Sequence, residues 1–269
     1  MPAGYAQKRQ NVRAQMKNME EKFNKWFNAF ILIGMTVAIV LTTVLKFGAS
    51  ESGRIGLLIA AFGSLMGILS VVFSANGRIL TFLFGLLDVA IYAVMCYVNW
   101  RRGGAGLGNA LINGLYFVPM QFIGFAQWRK RGAEAHKQVK ARRFTGKQWL
   151  LYSVLFFIGT IIVYLVLSAV DKEAAGQFLK VAILMDAVSM VCNILGQYLL
   201  STAYMEQWVF WILVNISSVV MWSVSLKHSS DPYSAIYVVK YAFYLLNSLN
   251  GLRIWMGLSK DKKTAGLEN

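Results

Sequence analysis

The sequence predicts an all-α, polytopic membrane protein with eight transmembrane helices, on three observations. Of its 269 residues 57% are hydrophobic and only 14% charged, with a mean hydropathy of +0.51. Eight apolar runs of 20 to 26 residues follow one another along the chain, each long enough to cross a hydrocarbon core about 30 Å thick. The two halves of the chain also align at a constant offset. Soluble domains of this size do not carry that apolar share. The formal charge of +15 sits between the apolar runs rather than along one polar surface, which is the mark of membrane topology and not of nucleic-acid binding.

Residues 1–25 form a basic tail in which Lys8, Arg9, Arg13, Lys17, Lys22 and Lys25 face only Glu20 and Glu21. It is expected on the cytoplasmic side, with a composition suited to an amphipathic surface helix. Residues 26–46 are the first spanning helix; the apolar part is too long for a cleaved signal and has no small-residue cleavage site. Ile55 to Gly77, Ile79 to Trp100 and Gly103 to Trp128 give a first three-helix unit over 55–128. A basic loop at 129–147 is expected to be cytoplasmic and leads to a linker helix at 148–170. Val181 to Met205, Gln207 to Leu226 and Pro232 to Leu252 give a second three-helix unit over 178–256, and residues 257–269 are a cytoplasmic tail. With eight spans the tail, the 129–147 loop and the Lys260 to Lys263 end share one side, so both termini are expected in the cytoplasm. Arg101 and Arg102 fall on the other side as a minor exception.

Adding 127 to a position maps Phe84 to Trp211, Asp88 to Asn215, Gly124 to Gly251 and Trp128 to Trp255 without a gap. Three helices, a linker helix and three helices make the two repeats parallel, with the first span outside them.

No catalytic, metal or cofactor motif is present. His136 and His228 lack a nucleophile or carboxylate constellation, Cys96 and Cys192 lie within apolar runs without ligand spacing, and Gly103 to Gly106 lacks the strand and Lys-Ser/Thr of a phosphate loop. Chemistry in such a chain is expected where polar side chains sit at mid-depth between the repeats. Trp208, Trp211 and Asn215, at i, i+3 and i+7, share a helix face on which indoles supply stacking surface and an amide supplies one acceptor and two donors. That suits an aromatic ligand carrying an amide. Trp208, two residues from Glu206, reads equally as an interfacial anchor, and Trp222 as a belt residue.

The other mid-depth candidates are Asp88, Asn113, Tyr116 and Gln121 in the first repeat and Asn193, Gln197, Tyr244, Asn247 and Ser248 in the second. Tyr237, Tyr241, Tyr244, Ser248 and Gly251 form a stripe that either lines an aqueous path or packs against neighbouring helices. Asp88 either binds a ligand hydroxyl or proton, or is protonated and bonded between helices. Asp186 and Lys240 are expected to pair at the outer mouth, and Pro119 to bend its helix near Gln121.

The Trp208-x-x-Trp211-x-x-x-Asn215 motif, the Pro119 to Gly124 run with Trp128, and Asn247 to Gly251 with Trp255 resemble the Pnu vitamin transporters over roughly Ile55 to Met256. The resemblance implies a SWEET-like 3+1+3 fold, here with one extra N-terminal helix, and a transporter rather than an enzyme. It further implies facilitated diffusion, with intracellular phosphorylation trapping the product. The family would place Trp208, Trp211 and Asn215 around a nicotinamide, with Gln121, Gln197 and Asn247 completing the polar contacts; Tyr244 and Asp88 are further candidates. Nicotinamide riboside is the expected substrate because a carboxamide pairs with that of Asn215, although thiamine, riboflavin and deoxynucleoside branches share the fold. The expected partners are that small molecule, the lipid bilayer of the plasma or inner membrane, a cytoplasmic riboside kinase, and further copies of the chain, a trimer by family resemblance. No nucleic acid and no cofactor are expected. A proton-coupled carrier using Asp88 is the alternative.

Overall fold

Backbone amides in an apolar medium must bond within their own segment, and the chain meets that requirement with helices. A computed structural model describes residues 3–47, 54–102, 107–170, 177–228 and 233–260; the Gly103 to Gly106 turn lies outside them. The helices are α1 (Ala3–Phe47), α2 (Arg54–Ala75), α3 (Thr81–Arg101), α4 (Leu107–Ile112), α5 (Val118–Lys130), α6 (Gly146–Val170), α7 (Gln177–Ser201), α8 (Gln207–His228) and α9 (Tyr233–Leu258). Among the described residues, six helices are long and apolar enough to span a bilayer: α1, α2, α3, α6, α7 and α8.

Neighbouring helices close into a ring. In order, α2 packs on α3, α3 on the α4–α5 path, α5 on α7, α7 on α8, α8 on α9, and α9 back on α2. Outside the ring, α1 lies over α2 and α9, and α6 lies against α7. Ile31, Met35 and Ile39 of α1 pack with Ile68 and Val72 of α2 and with Phe243 and Tyr244 of α9.

Two expectations about single helices change. The basic tail is not a separate surface helix: Ala3–Phe47 is one continuous 45-residue helix, because nothing between Lys25 and Trp26 breaks it. The bend caused by Pro119 falls before Gln121, in a π-helical segment at Asn113–Phe117. A proline cannot supply its own N–H to the carbonyl four residues earlier, here Leu115, and its ring crowds that carbonyl, so the distortion appears one turn upstream.

The two halves are tied by reciprocal bonds. Trp128 Nε1 donates to Leu200 O at 2.7 Å, and Trp255 Nε1 donates to Ser74 O at 3.0 Å, so the third helix of each half holds the first helix of the other. The α2–α3 and α7–α8 turns match bond for bond: Gly77 N to Ser74 O and Arg78 N to Phe73 O correspond to Ala203 N to Leu200 O and Tyr204 N to Leu199 O. Gly77 and Ala203 have φ of 63° and 61° in these turns. This equivalence runs at an offset of 126, as in Gly77 to Ala203, whereas Trp128 and Trp255 keep 127. Asp88 is therefore equivalent to Val214, not to Asn215, and Phe84 to Phe210 rather than Trp211. One extra residue lies in the second half between the turn and Gly251, which a gapless alignment cannot register.

The 129–147 segment straps both turns. Val139 N donates to Gly77 O at 3.0 Å, Arg142 N to Ala203 O at 2.7 Å, and Met205 N to Arg142 O at 2.9 Å. Ala133, Val139 and Ala141 are buried in the same cluster as Trp128 and Trp255.

Gly124 and Gly251 are the closest approaches in the ring. A Cβ at Gly124 would lie 2.1 Å from the Phe82 ring, and one at Gly251 2.5 Å from the Trp208 ring. These contacts are again equivalent, since Phe82 and Trp208 stand at the offset of 126. Gly124→Ala and Gly251→Ala should each destabilise the protein by about 1 to 3 kcal/mol through overpacking. Gly257→Ala, with open space around it, should be neutral or slightly stabilising. Thermal unfolding in detergent, followed by intrinsic fluorescence, ranks the three.

Candidate substrate-binding site

Asn215 lies eight residues into α8, about 12 Å along the helix from its first residue. It is buried, and its Nδ2 donates to Ser248 Oγ of α9 at 2.9 Å. That bond fixes the amide plane. Trp211 is half-buried one turn earlier, against α7 where the absence of a side chain at Gly196 leaves room for the indole: a Cβ there would lie 3.2 Å from the Trp211 ring. Trp211 also touches two buried clusters, one around Trp128 and Trp255 and one around Cys192 and Phe210.

Trp208 is 2% exposed, so it is not a lipid-facing anchor. Its ring packs on Gly251 and meets Trp255 edge-on at 6.3 Å. Trp222 stacks on Tyr237 at 4.2 Å, bridging the far ends of α8 and α9.

The remaining polar candidates gather at the two seams between halves. At the α5–α7 seam, Gln197 Nε2 donates to Ser201 Oγ at 3.3 Å, and Ser201 Oγ donates to Met120 O at 3.0 Å. Next to Met120, Gln121 is buried, and a Cβ at Gly85 would lie 2.7 Å from its Oε1. At the α9–α2 seam, Asn247 Nδ2 donates to Val71 O at 3.2 Å while its Oδ1, fully enclosed, has no protein partner. Tyr116, within the π-helical segment, donates to Ile194 O of α7 at 2.7 Å. Asn113 and Asn193 bond the carbonyls of Asn109 and Ser189 in their own helices and are not brought to the seams.

Asp88 stands apart from the Trp211–Asn215 face. Its carboxylate lies over Gly67 of α2, where a Cβ would come within 2.7 Å of Oδ2. Lys240 of α9 is the cation that acts on it, beyond salt-bridge distance. The expected pair of Asp186 with Lys240 is not formed: Asp186 is exposed, and the Lys240 ammonium lies 6.0 and 5.7 Å from the rings of Tyr241 and Tyr244. Tyr244 is half-buried with the α1–α2 cluster, and its ring offers the cation a π-face.

Known proteins share this architecture. The family profile "Nicotinamide mononucleotide transporter" matches residues 57–257. The chain belongs to the nicotinamide mononucleotide transporter family. Membership makes it a multi-pass membrane transporter and not an enzyme. A nicotinamide riboside transporter PnuC of Neisseria mucosa is 34% identical over 206 residues, 75% of this chain and 73% of that protein. The protein of the same name from Haemophilus influenzae is 30% identical over 204 residues, 75% of this chain and 80% of that one. A crystal structure of the vitamin B3 transporter PnuC superposes with a TM-score of 0.59 at 30% identity, covering 88% of this chain and 92% of that chain. The family match begins after α1, which is an addition to the matched region.

One residue that lines the candidate site is absent from the sequence reading. Gln207, one turn before Trp211, is 0% exposed, and neither Nε2 nor Oε1 has a protein partner. Its equivalent in the first half is Thr81, whose hydroxyl donates to Ser70 O at 2.9 Å and meets Ser70 Oγ at 3.1 Å. Ser70 in turn corresponds to Gly196, so the second half lacks that hydroxyl partner and carries a longer amide. The offset of 126 would have singled it out; the offset of 127 hides it.

Ser248 is a positioning residue for Asn215. Ser248→Ala removes one neutral hydrogen bond, about 0.5 to 1.5 kcal/mol, so ligand binding that runs through Asn215 should weaken roughly 2- to 12-fold. Isothermal titration against nicotinamide riboside measures it, and in an Asn215→Leu background the same substitution should have no further effect.

Proposed function

We propose that this protein carries nicotinamide riboside across the membrane by facilitated diffusion, with phosphorylation by a cytoplasmic riboside kinase trapping the product. The observation that carries the reading is the Trp211–Asn215–Ser248 arrangement on α8 and α9, inside the second three-helix unit, in a chain whose family relatives bear that substrate in their names. Trp211 stacks on the pyridine ring, and Asn215, held by Ser248, reads the carboxamide. Gln121, Gln197, Asn247 and Gln207 offer buried amides to the ribose hydroxyls. Trp208 shapes the site from behind by holding α8 on α9. The membrane arrangement in this reading has eight spans, with the α4–α5 path and α9 added to the six long apolar helices. It is a parallel 3+1+3 pair of repeats, and the reciprocal Trp128 and Trp255 bonds support it. Both termini lie in the cytoplasm of the cell (inner) membrane, and the chain assembles as a homo-oligomer, a trimer by family resemblance.

Asn215→Leu leaves a ligand carboxamide unpaired at about 1 to 3 kcal/mol, which should weaken nicotinamide riboside binding roughly 5- to 150-fold. Trp211→Ala should weaken it at least as much. Calorimetric titration with nicotinamide riboside and with a riboside lacking the carboxamide decides it: unchanged affinity in a folded Asn215→Leu protein removes that residue from the site.

Asp88 with Lys240 nearby supports a second reading, a proton-coupled carrier. Among the described residues the spans bring no second carboxylate and no histidine to Asp88, so uncoupled transport is preferred. Asp88→Asn should retain substantial uptake in liposomes, and collapsing a proton gradient should leave equilibration of substrate unchanged. Accumulation that stops with the gradient, in vesicles free of kinase, replaces facilitated diffusion by coupling.

The orientation is read from the basic tail and the 129–147 strap. A cysteine at His136 should stay unreactive to an impermeant maleimide in intact cells and react after permeabilisation. Labelling from outside reverses the topology.

A further inference from the structure

One face of α1 carries a repeat that the fold uses only in part: Phe23 lies 5.1 Å from the Arg253 guanidinium, Phe30 meets Phe243 at 5.2 Å and Phe47 lies 5.1 Å from the Arg54 guanidinium. From Val12 to Phe47 every position at alternating steps of four and three is apolar: Val12, Met16, Met19, Phe23, Trp26 and so on through eleven residues, each between 37% and 79% exposed. The face that docks on the ring is a different one, made by Ile31, Met35 and Ile39. In the part that crosses the membrane an apolar outer face needs no explanation, because lipid covers it. In the part below Trp26 it does: Val12, Met16, Met19 and Phe23 lie in an otherwise basic and polar stretch, flanked by Arg13, Gln15, Glu20 and Lys22. Val12, Met16 and Met19 thus call for an occupant other than the ring.

The period names the second occupant. Steps of four and three average 3.5 residues, the repeat of a left-handed coiled coil, and it runs unbroken for five heptads from water into the bilayer. A helix that matches this stripe along its whole length must itself change from aqueous to membrane-embedded at the same level, and a second copy of α1 does so by construction. The tail is also held upright. Arg253 of α9 bonds Glu20 Oε1 at 3.1 Å, Asn24 Oδ1 and Asn250 Oδ1, and its guanidinium lies 5.1 Å from the Phe23 ring. A clamped helix continuous with the span cannot fold down onto the lipid surface.

We propose that copies of this chain associate in parallel through the outer face of α1, with Val12 to Phe23 forming a coiled coil in the cytoplasm. The inference rests on the homo-oligomer of the proposed function and gives it a surface. It is tested on the full chain in proteoliposomes, with Cys96 and Cys192 replaced by Ala and single cysteines placed from position 16 to 23. Oxidative cross-linking between copies should peak at Met16, Met19 and Phe23 and be several-fold lower at Asn18 and Glu21. The triple variant Val12→Ser, Met16→Ser, Met19→Ser should lower cross-linking through a cysteine at Trp26 several-fold while still binding nicotinamide riboside. A flat profile, or one that peaks on the opposite face, overturns the α1 seam. So does quenching of a fluorophore at Met19 by lipid-attached quenchers, which would mean that the stripe rests on the membrane. Light scattering in detergent separates the two readings: a monomeric wild type ends the oligomer itself, whereas an oligomer of unchanged mass in the triple variant ends only this surface.

Discussion

Two indole N–H groups bonded to two main-chain carbonyls hold the halves of this protein together. Trp128 reaches Leu200 and Trp255 reaches Ser74, each across from its own half to the end of the first helix of the other. In hydrocarbon there is no hydrophobic force to press helices together, so close packing and hydrogen bonds must do it. The carbonyls used are among the last of a helix and each already accepts a turn N–H, from Ala203 and Gly77, so the indole is a second donor on the remaining lone pair. The two indoles meet one another at 5.4 Å, and Gly124 and Gly251 let the Phe82 and Trp208 rings close over the same region.

That symmetric frame is made into an asymmetric site by a few exchanges of size. The first half has Ser70, Thr81 and Gly85, a small triplet whose hydroxyls satisfy one another. At the equivalent positions the second half has Gly196, Gln207 and Trp211. The side-chain volume moves from the first helix to the second, placing an indole where the first half has a hydrogen atom. A free buried amide replaces a satisfied hydroxyl. Stacking surface and unpaired polar atoms are what a flat polar ligand needs from a buried site, and under the proposed function these exchanges offer them without disturbing the bonds that hold the frame.

The charges inside the membrane follow the ring rather than the order of the chain. Asp88 and Lys240 influence one another although they lie on α3 and α9, because α2 touches both helices. Asp186 and Lys240 belong to the same half yet form no ion pair. Lys240 instead lies over tyrosine rings, which lower the cost of an ammonium in an apolar setting.

Much of this was legible in the sequence, for a physical reason. Bilayer thickness and backbone satisfaction turn apolar run length directly into helices, so the apolar runs and the Trp208-x-x-Trp211-x-x-x-Asn215 face follow from the residues alone. The roles within that face were decided by packing: Trp208 is enclosed by Gly251 and Trp255, while Trp211 lies half-buried over Gly196. Which residues are equivalent was decided by turn hydrogen bonds, because a helix rotates by about 100° per residue and a one-residue slip changes every facing pair. Gln207 emerged only from that corrected register. The partner of Lys240, the upstream site of the Pro119 distortion and the continuity of α1 through the basic tail likewise depend on neighbours in space. Composition sets which segments enter the membrane; only the closed ring sets which side chains meet inside it.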